Sequence, residues 1–362
     1  MAQLNWDSGT AYDLFISLFV LHRPDRFGLR PQWAAGVRSR LPQPQREFLE
    51  EAMEFLPVPL SWVSSLPTEQ KTAMGVIAQL EAIPAELRLK ALIQRAELNE
   101  AVLSTIERIQ SRGIASTEDL DILKTLFQQR LVPVKLKALQ SLSEAIINAP
   151  QFGENILSAL QSYHQVFFAE EEERIKPFIV DGLAQAQALA KELPLVELIE
   201  ELSHGIKYEL ANIQQRVWLA PSYWSTPLVF INQPRQKETL MVFGCRPDEQ
   251  NLVPGEYVPD ALVGTLKAMS DATRLRILHY LKVAPATPSS LARLLRLRAP
   301  TVVHHLSILR LAGLVHILIS EEGERRYALR KESLQAAMQQ LMVFLESSEA
   351  ETIAMDGNFS DE

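Results

Sequence analysis

TPSSLARLLRLRAPTVVHHLSILRLAGLV, residues 287–315, decides how the C-terminal part of the chain is read. Thr287 stands where a side-chain oxygen can cap a helix. Pro288 follows in the first turn, where a missing N–H costs nothing. A tight turn, RLRA, separates this helix from a second with Pro300 in its own first turn. Gly313 suits the left-handed residue that ends such a helix. At about 100° per residue, Val302, Leu306 and Leu309 share the face that must be buried. His304 falls about 160° from the middle of that face, while His305 lies at its edge. The adjacent histidines therefore point apart, with His304 outward and His305 at the core margin. A chelating pair on a helix needs i,i+3 or i,i+4 spacing, which they lack.

Outward from this stretch, VPDALVGTLKAM and ATRLRILHYL read as two preceding helices. VHILIS and RRYALR flank EEGE as a hairpin with Gly323 in its turn, and KESLQAAMQQLMVFLE closes the unit as an amphipathic helix. Four helices, a hairpin and a helix make a winged helix-turn-helix. Residues 261–331 hold 12 Lys/Arg against 4 Asp/Glu. With −8 for the whole chain, this +8 segment leaves −16 for the rest. Such asymmetry is expected of a nucleic-acid-binding module joined to something else, although a solvated basic face has the same composition.

LKAMSDATRLRILHYL, the opening stretch and the EEGERRYAL hairpin resemble the ArsR/SmtB family of bacterial transcriptional repressors, over roughly the last quarter of the chain. Ser-Asp-x-Thr-Arg, Leu-Ala, Thr-Val-x-His-His-Leu and Ala-Gly-Leu-Val occur in the family's order. Val303 departs from it, standing where serine is common. The resemblance implies a recognition helix at 300–312, laid in the major groove of double-stranded DNA. The expected contacts on or beside that helix are Arg298, Pro300, Thr301, Val303, His304, Ser307 and Arg310. Ser289, Arg325 and Arg326 are expected at phosphates. Arg293 and Arg296 either add to the basic field or are simply solvated. Glu321, Glu322 and Glu324 disfavour deep insertion of the wing tip.

The family also implies a homodimer on an inverted-repeat operator, joined through LVGTLKAM and LQAAMQQLMVFL. Its thiolate sensors carry cysteines in the second or third helix of the unit, and its zinc sensors carry Asp and His on the last. This chain has neither set, so no metal and no cofactor is expected. His279 and His316 read as ordinary fold residues.

Residues 1–215 carry helical periodicity nearly throughout, punctuated by prolines and without a repeat period. WDSGTAYDLFISLFVLHRPDRFGLRPQWAAGVRSRL resembles the start of a helical domain fused upstream of some ArsR-type regulators. From 216 to 245 three β-prone runs, VWLA, PLVFIN and ETLMVFGC, suggest a small antiparallel sheet associated with the helical region. Residues 246–258 read as a linker, 259–347 as the basic unit and 348–362 as an acidic disordered tail. The expected fold is mainly α, with a helical N-terminal region, this small sheet and a C-terminal winged helix-turn-helix. Trp218, Tyr223, Trp224 and Phe230 either line an apolar effector pocket or belong to the sheet and interface core.

LFISLFVL is too short to span a bilayer, no leader pattern opens the chain, and the single cysteine, Cys245, fits a reducing compartment. A soluble, cytoplasmic protein with no membrane partner is the expectation. No Gly-rich phosphate loop, H-E-x-x-H or G-x-S-x-G occurs. His22 with Asp25, and His164 with Glu170–Glu173, lack catalytic spacing, and AEEEER reads as a solvated helix face. A transcriptional repressor responding to an effector or partner, not an enzyme, is the reading. The alternative keeps the winged helix as a dimerisation or protein-interaction module.

Overall fold

The computed structural model describes residues 2–93, 100–127, 135–203, 206–208, 215–247, 250–253, 258–319 and 324–346. Glu321, Glu322, Gly323 of the expected hairpin turn, the acidic tail and part of the 246–258 segment lie outside these. The chain divides into two compact units, Met1–Ser203 with Tyr208–Pro247, and His204–Lys207 with Asp248–Glu362.

The first unit begins with β1 (Gln3–Trp6), α1 (Ala11–Leu21), α2 (Pro31–Ser39), α3 (Gln43–Phe55), α4 (Leu60–Ser65) and α5 (Ala73–Ala82). It continues through α6 (Ala85–Ile93), α7 (Glu100–Arg112), α8 (Thr117–Lys124), α9 (Leu136–Ile147), α10 (Ala149–Tyr163), α11 (Ala169–Glu192) and α12 (Leu195–Leu202). A π-helical turn, His164–Phe168, joins α10 to α11. The apolar run in α1 is a core element, with every residue from Ala11 to Leu21 buried except Phe19.

The strands β3 (Arg216–Ser222), β4 (Phe230–Asn232) and β5 (Glu238–Gly244) join β1 in a sheet of order β1-β3-β5-β4. Val217, Leu219, Met241 and Phe243 pack one face of it against Ala186 of α11 and Leu198 and Ile199 of α12. The mainly-α class with a small sheet holds, but the pairing corrects an all-antiparallel expectation. Only β4 runs antiparallel to β5, whereas β1 pairs with β3, and β3 with β5, in parallel. The segment between Ser222 and Glu238 is long enough for the crossover that a parallel pair needs. QLNW, which forms β1, reaches the sheet from the far end of the chain.

The second unit contains β2 (Ile206–Tyr208) up to Lys207, and α13 (Asp260–Met269), α14 (Ala272–Leu281), α15 (Pro288–Leu295), α16 (Ala299–Leu311), β6 (Val315–Ile319), β7 (Arg325–Leu329) and α17 (Lys331–Glu346). Ile277, Leu281, Leu291, Leu295, Val302, Leu306, Leu309, Val315, Ile317 and Tyr327 form its core. The hairpin pairs Val315 with Leu329 and Ile319 with Arg325. Sheet order β2-β6-β7 puts β2 on the open edge of the hairpin, covering backbone groups that an edge strand leaves unpaired. Ala286 and Tyr327 exchange both backbone hydrogen bonds, at 2.9 and 2.8 Å, tying the start of α15 to β7.

Candidate nucleic-acid interface

The two helices of the opening stretch are set by their ends. The Thr287 hydroxyl accepts from the Ser290 N–H at 3.2 Å, capping α15 as its position suggests. At the other end Arg296 is left-handed, with φ +55°. Its N–H donates to the Arg293 carbonyl at 3.3 Å, and the Leu297 N–H donates to that of Ala292 at 3.0 Å. This is a Schellman closure. The end of α16 repeats it with Gly313 at φ +68°, Gly313 N–H to Arg310 O at 2.9 Å and Leu314 N–H to Leu309 O at 2.9 Å.

The Ser-Asp-x-Thr-Arg motif fastens the supporting helices. The Asp271 carboxylate caps α14 by accepting from the Arg274 N–H at 2.9 Å. That bond is the main reason its carboxyl lies below the usual carboxylate range. Arg274 Nε donates to the Ala268 carbonyl at 2.6 Å and Nη2 to that of Lys267 at 2.7 Å, closing the end of α13. His305 Nδ1 lies 3.9 Å from Asp271 Oδ1. Partial burial holds this imidazole below its ordinary value, against the pull of Asp271. His305 thus stands at the core margin, beside the start of α14, while His304 is exposed.

Ser289, Arg298, Pro300, Thr301, His304 and Ser307 are all exposed, and Val303 and Arg310 are half-buried. Ser307 donates its hydroxyl to the Val303 carbonyl at 2.8 Å, so its proton is committed within the helix. On the wing, Arg325 and Arg326 are exposed. Arg326 Nε bonds Glu324 Oε2 at 2.7 Å, which offsets part of its charge. From Ala272 to Ser320 the sequence holds seven Lys/Arg and no Asp or Glu. The outward face of α16 therefore lies within a stretch of one sign of charge. Among the described residues no three His, Cys, Asp or Glu side chains are gathered as a metal set.

The four aromatic residues considered for a pocket have different packing partners. Tyr223 and Trp224 are fully buried, whereas Trp218 and Phe230 are half-buried. Trp224 stacks on Trp33 at 6.4 Å and meets Phe167 edge-on at 6.0 Å. Phe230 belongs to a separate cluster with Phe19 and Phe27. Trp218 pairs in register with Asn5 and Leu240. A small apolar recess in the first unit, with room for about one water molecule, is lined by other residues, among them Phe15, Leu18, Met53, Ile156 and Leu160.

The sequence reading missed the buried charges of this unit, and AEEEER is not simply a solvated face. Glu171 is 5% exposed. It accepts from Trp224 Nε1 at 2.8 Å and from Arg174 Nε and Nη2 at 2.9 and 2.6 Å. Glu172 bridges the Thr10 hydroxyl and the Ala73 N–H. Asp13, fully buried, accepts from Ser222 Oγ and the Trp224 N–H, both at 2.8 Å. A lone acid inside AYDLFISLFVL was the available signal for Asp13. The glutamates carry no such mark, because a run of four acids looks the same whether one face is buried or none.

The helix pair, its hairpin and the basic outward face define a winged helix-turn-helix unit. Residues 271–316, which span α14 to the first strand of the hairpin, match the family described as bacterial regulatory protein, arsR family. No curated protein and no solved structure matches the chain.

Proposed function

We propose that this chain is a sequence-specific DNA-binding regulator of transcription, acting as a repressor. In this reading a homodimer places two copies of α16 in successive major grooves of an inverted repeat. The observation that carries it is the exposed row Arg298, Pro300, Thr301, His304 on the second helix of the helix-turn-helix, within a stretch that holds no acid. Ser289, Val303, Ser307, Arg310, Arg325 and Arg326 complete the contact set, with Ser307 and Arg326 weakened by their internal bonds. Support for the dimer comes from the terminal helices of the unit. Leu266 on α13, and Met338, Met342 and Val343 on α17, are exposed apolar side chains.

The first unit is the effector- or partner-responsive part, in which Tyr223 and Trp224 serve as core and Trp218 and Phe230 are half-buried. No catalytic role is assigned to either unit, and the chain works in the cytoplasm. No described helix is long and apolar enough to cross a membrane.

Selection of bound duplexes from random DNA by the purified chain tests this. An enriched inverted repeat is expected, bound at least ten-fold more weakly by the Thr301→Ala/His304→Ala variant, since one good base contact is worth about 1–3 kcal/mol. Thermal stability should be unchanged, because both side chains are exposed. A winged helix used only for protein contacts would enrich no sequence.

A further inference from the structure

The edge of the interface beside the start of α16 is apolar. Leu297 is 36% exposed, and Ala299, Pro300 and Thr301 follow it, all exposed. Leu297 follows the left-handed Arg296 in the Schellman closure, where a side chain usually packs back on the last turn of the helix, and here it remains exposed. Three exposed cations, Arg293, Arg296 and Arg298, lie next to these residues in the sequence. An apolar strip with cations next to it in the sequence suits a partner that presents small apolar groups between anionic backbones. The major groove does so only where a thymine carries its 5-methyl group. Polar readers are few on this face, with Arg298 and His304 exposed and the Ser307 proton already committed.

We propose that Leu297, Pro300 and the methyl group of Thr301 form an apolar edge that reads thymine 5-methyl groups at the half-site positions nearest the start of α16. The inference rests on the DNA-binding reading above and assigns it a base chemistry. Leu297, in the turn rather than on the recognition helix, becomes a specificity-determining residue. His304 then serves the neighbouring positions, where a guanine offers O6 and N7.

The test uses the full chain and the duplex enriched by selection, with thymines replaced one at a time by uracil, which lacks only the methyl group. At one or more positions in each half-site the wild type should lose about three- to five-fold in affinity, the factor for one methylene-sized group no longer covered. Thr301→Ser keeps the hydroxyl and removes the methyl, and Leu297→Ala shortens the turn residue. Each should bind the thymine duplex more weakly and be insensitive to uracil at one of those positions. The serine variant keeps the test valid even if the alanine variant is poorly folded. Equal affinity of the wild type for every uracil duplex would overturn the inference while leaving the regulator reading intact. Failure to enrich any duplex would overturn both.

Discussion

Asp13 carries the sharpest consequence at the scale of single residues. It lies inside the core with one carboxylate oxygen bonded twice and the other, Oδ2, without a hydrogen-bond partner. Burial pushes its carboxyl up to about 7, and the donors from Trp224 and Ser222 only partly resist. Because the folded value exceeds the unfolded one, the folded state holds an extra proton between about pH 4 and 7. Stability is therefore lost as pH rises through that window. Buried His22 works in the opposite sense. Desolvation lowers it to about 4, so its contribution is lost as pH falls from 6.5 toward 4. The two effects offset each other in the wild type. Asp13→Asn should expose the histidine, giving a melting temperature that falls steadily on acidification from pH 7 to 5. Relative to the wild type, the variant should gain roughly 2–3 kcal/mol between pH 5 and pH 8. Parallel melting profiles for the two proteins across that range would refute the assignment. None of this was legible beforehand, because the sequence shows an acid in an apolar helix but not which donors meet it.

Helix ends were the most readable elements, because their chemistry is local. Thr287, Pro288, Pro300 and Gly313 each do in the fold what their residue types suggest. The sheet was less readable, since strand direction depends on partners far away in sequence. Nothing in QLNW announces β1, and nothing in ETLMVFGC says that it runs parallel to β3. The paired closures of α15 and α16 allow a matched test. Arg296 holds a left-handed φ that costs an L-residue roughly 1 kcal/mol, whereas Gly313 holds one without penalty. Arg296→Gly should stabilise the second unit by about 1 kcal/mol, and Gly313→Ala should destabilise it by a similar amount. No side chain crowds Gly313, so the alanine effect comes from the backbone alone. All five tryptophans lie before residue 225, so tryptophan emission follows the first unit. The two variants should shift the far-ultraviolet ellipticity transition of the second unit in opposite directions. Shifts of the same sign would show that the closures are not built as described.

At the scale of the whole molecule, charge separates the two parts of the chain more cleanly than any motif. The segment that carries the helix-turn-helix is basic and the remainder strongly acidic. The family match at residues 271–316 accounts for only part of the second unit. The first unit was legible as helical but not as to its role, because packing alone does not name a ligand. The basic face makes a quantitative prediction about DNA. If Arg293, Arg296 and Arg298 of each protomer neutralise phosphates, a dimer makes about six such contacts besides those of the wing. The logarithm of its affinity should then fall against that of salt with a slope of about −5 or steeper, at least about a thousand-fold between 50 and 200 mM. Replacing Arg298 with alanine in both protomers should reduce that slope by about 2 and weaken selected and random duplexes together, if its main contact is a phosphate. A slope unchanged by the substitution, combined with lost discrimination between duplexes, would instead assign Arg298 to a base edge. The measurement thus separates phosphate positioning from sequence reading at a residue that stands between the apolar turn and the recognition helix.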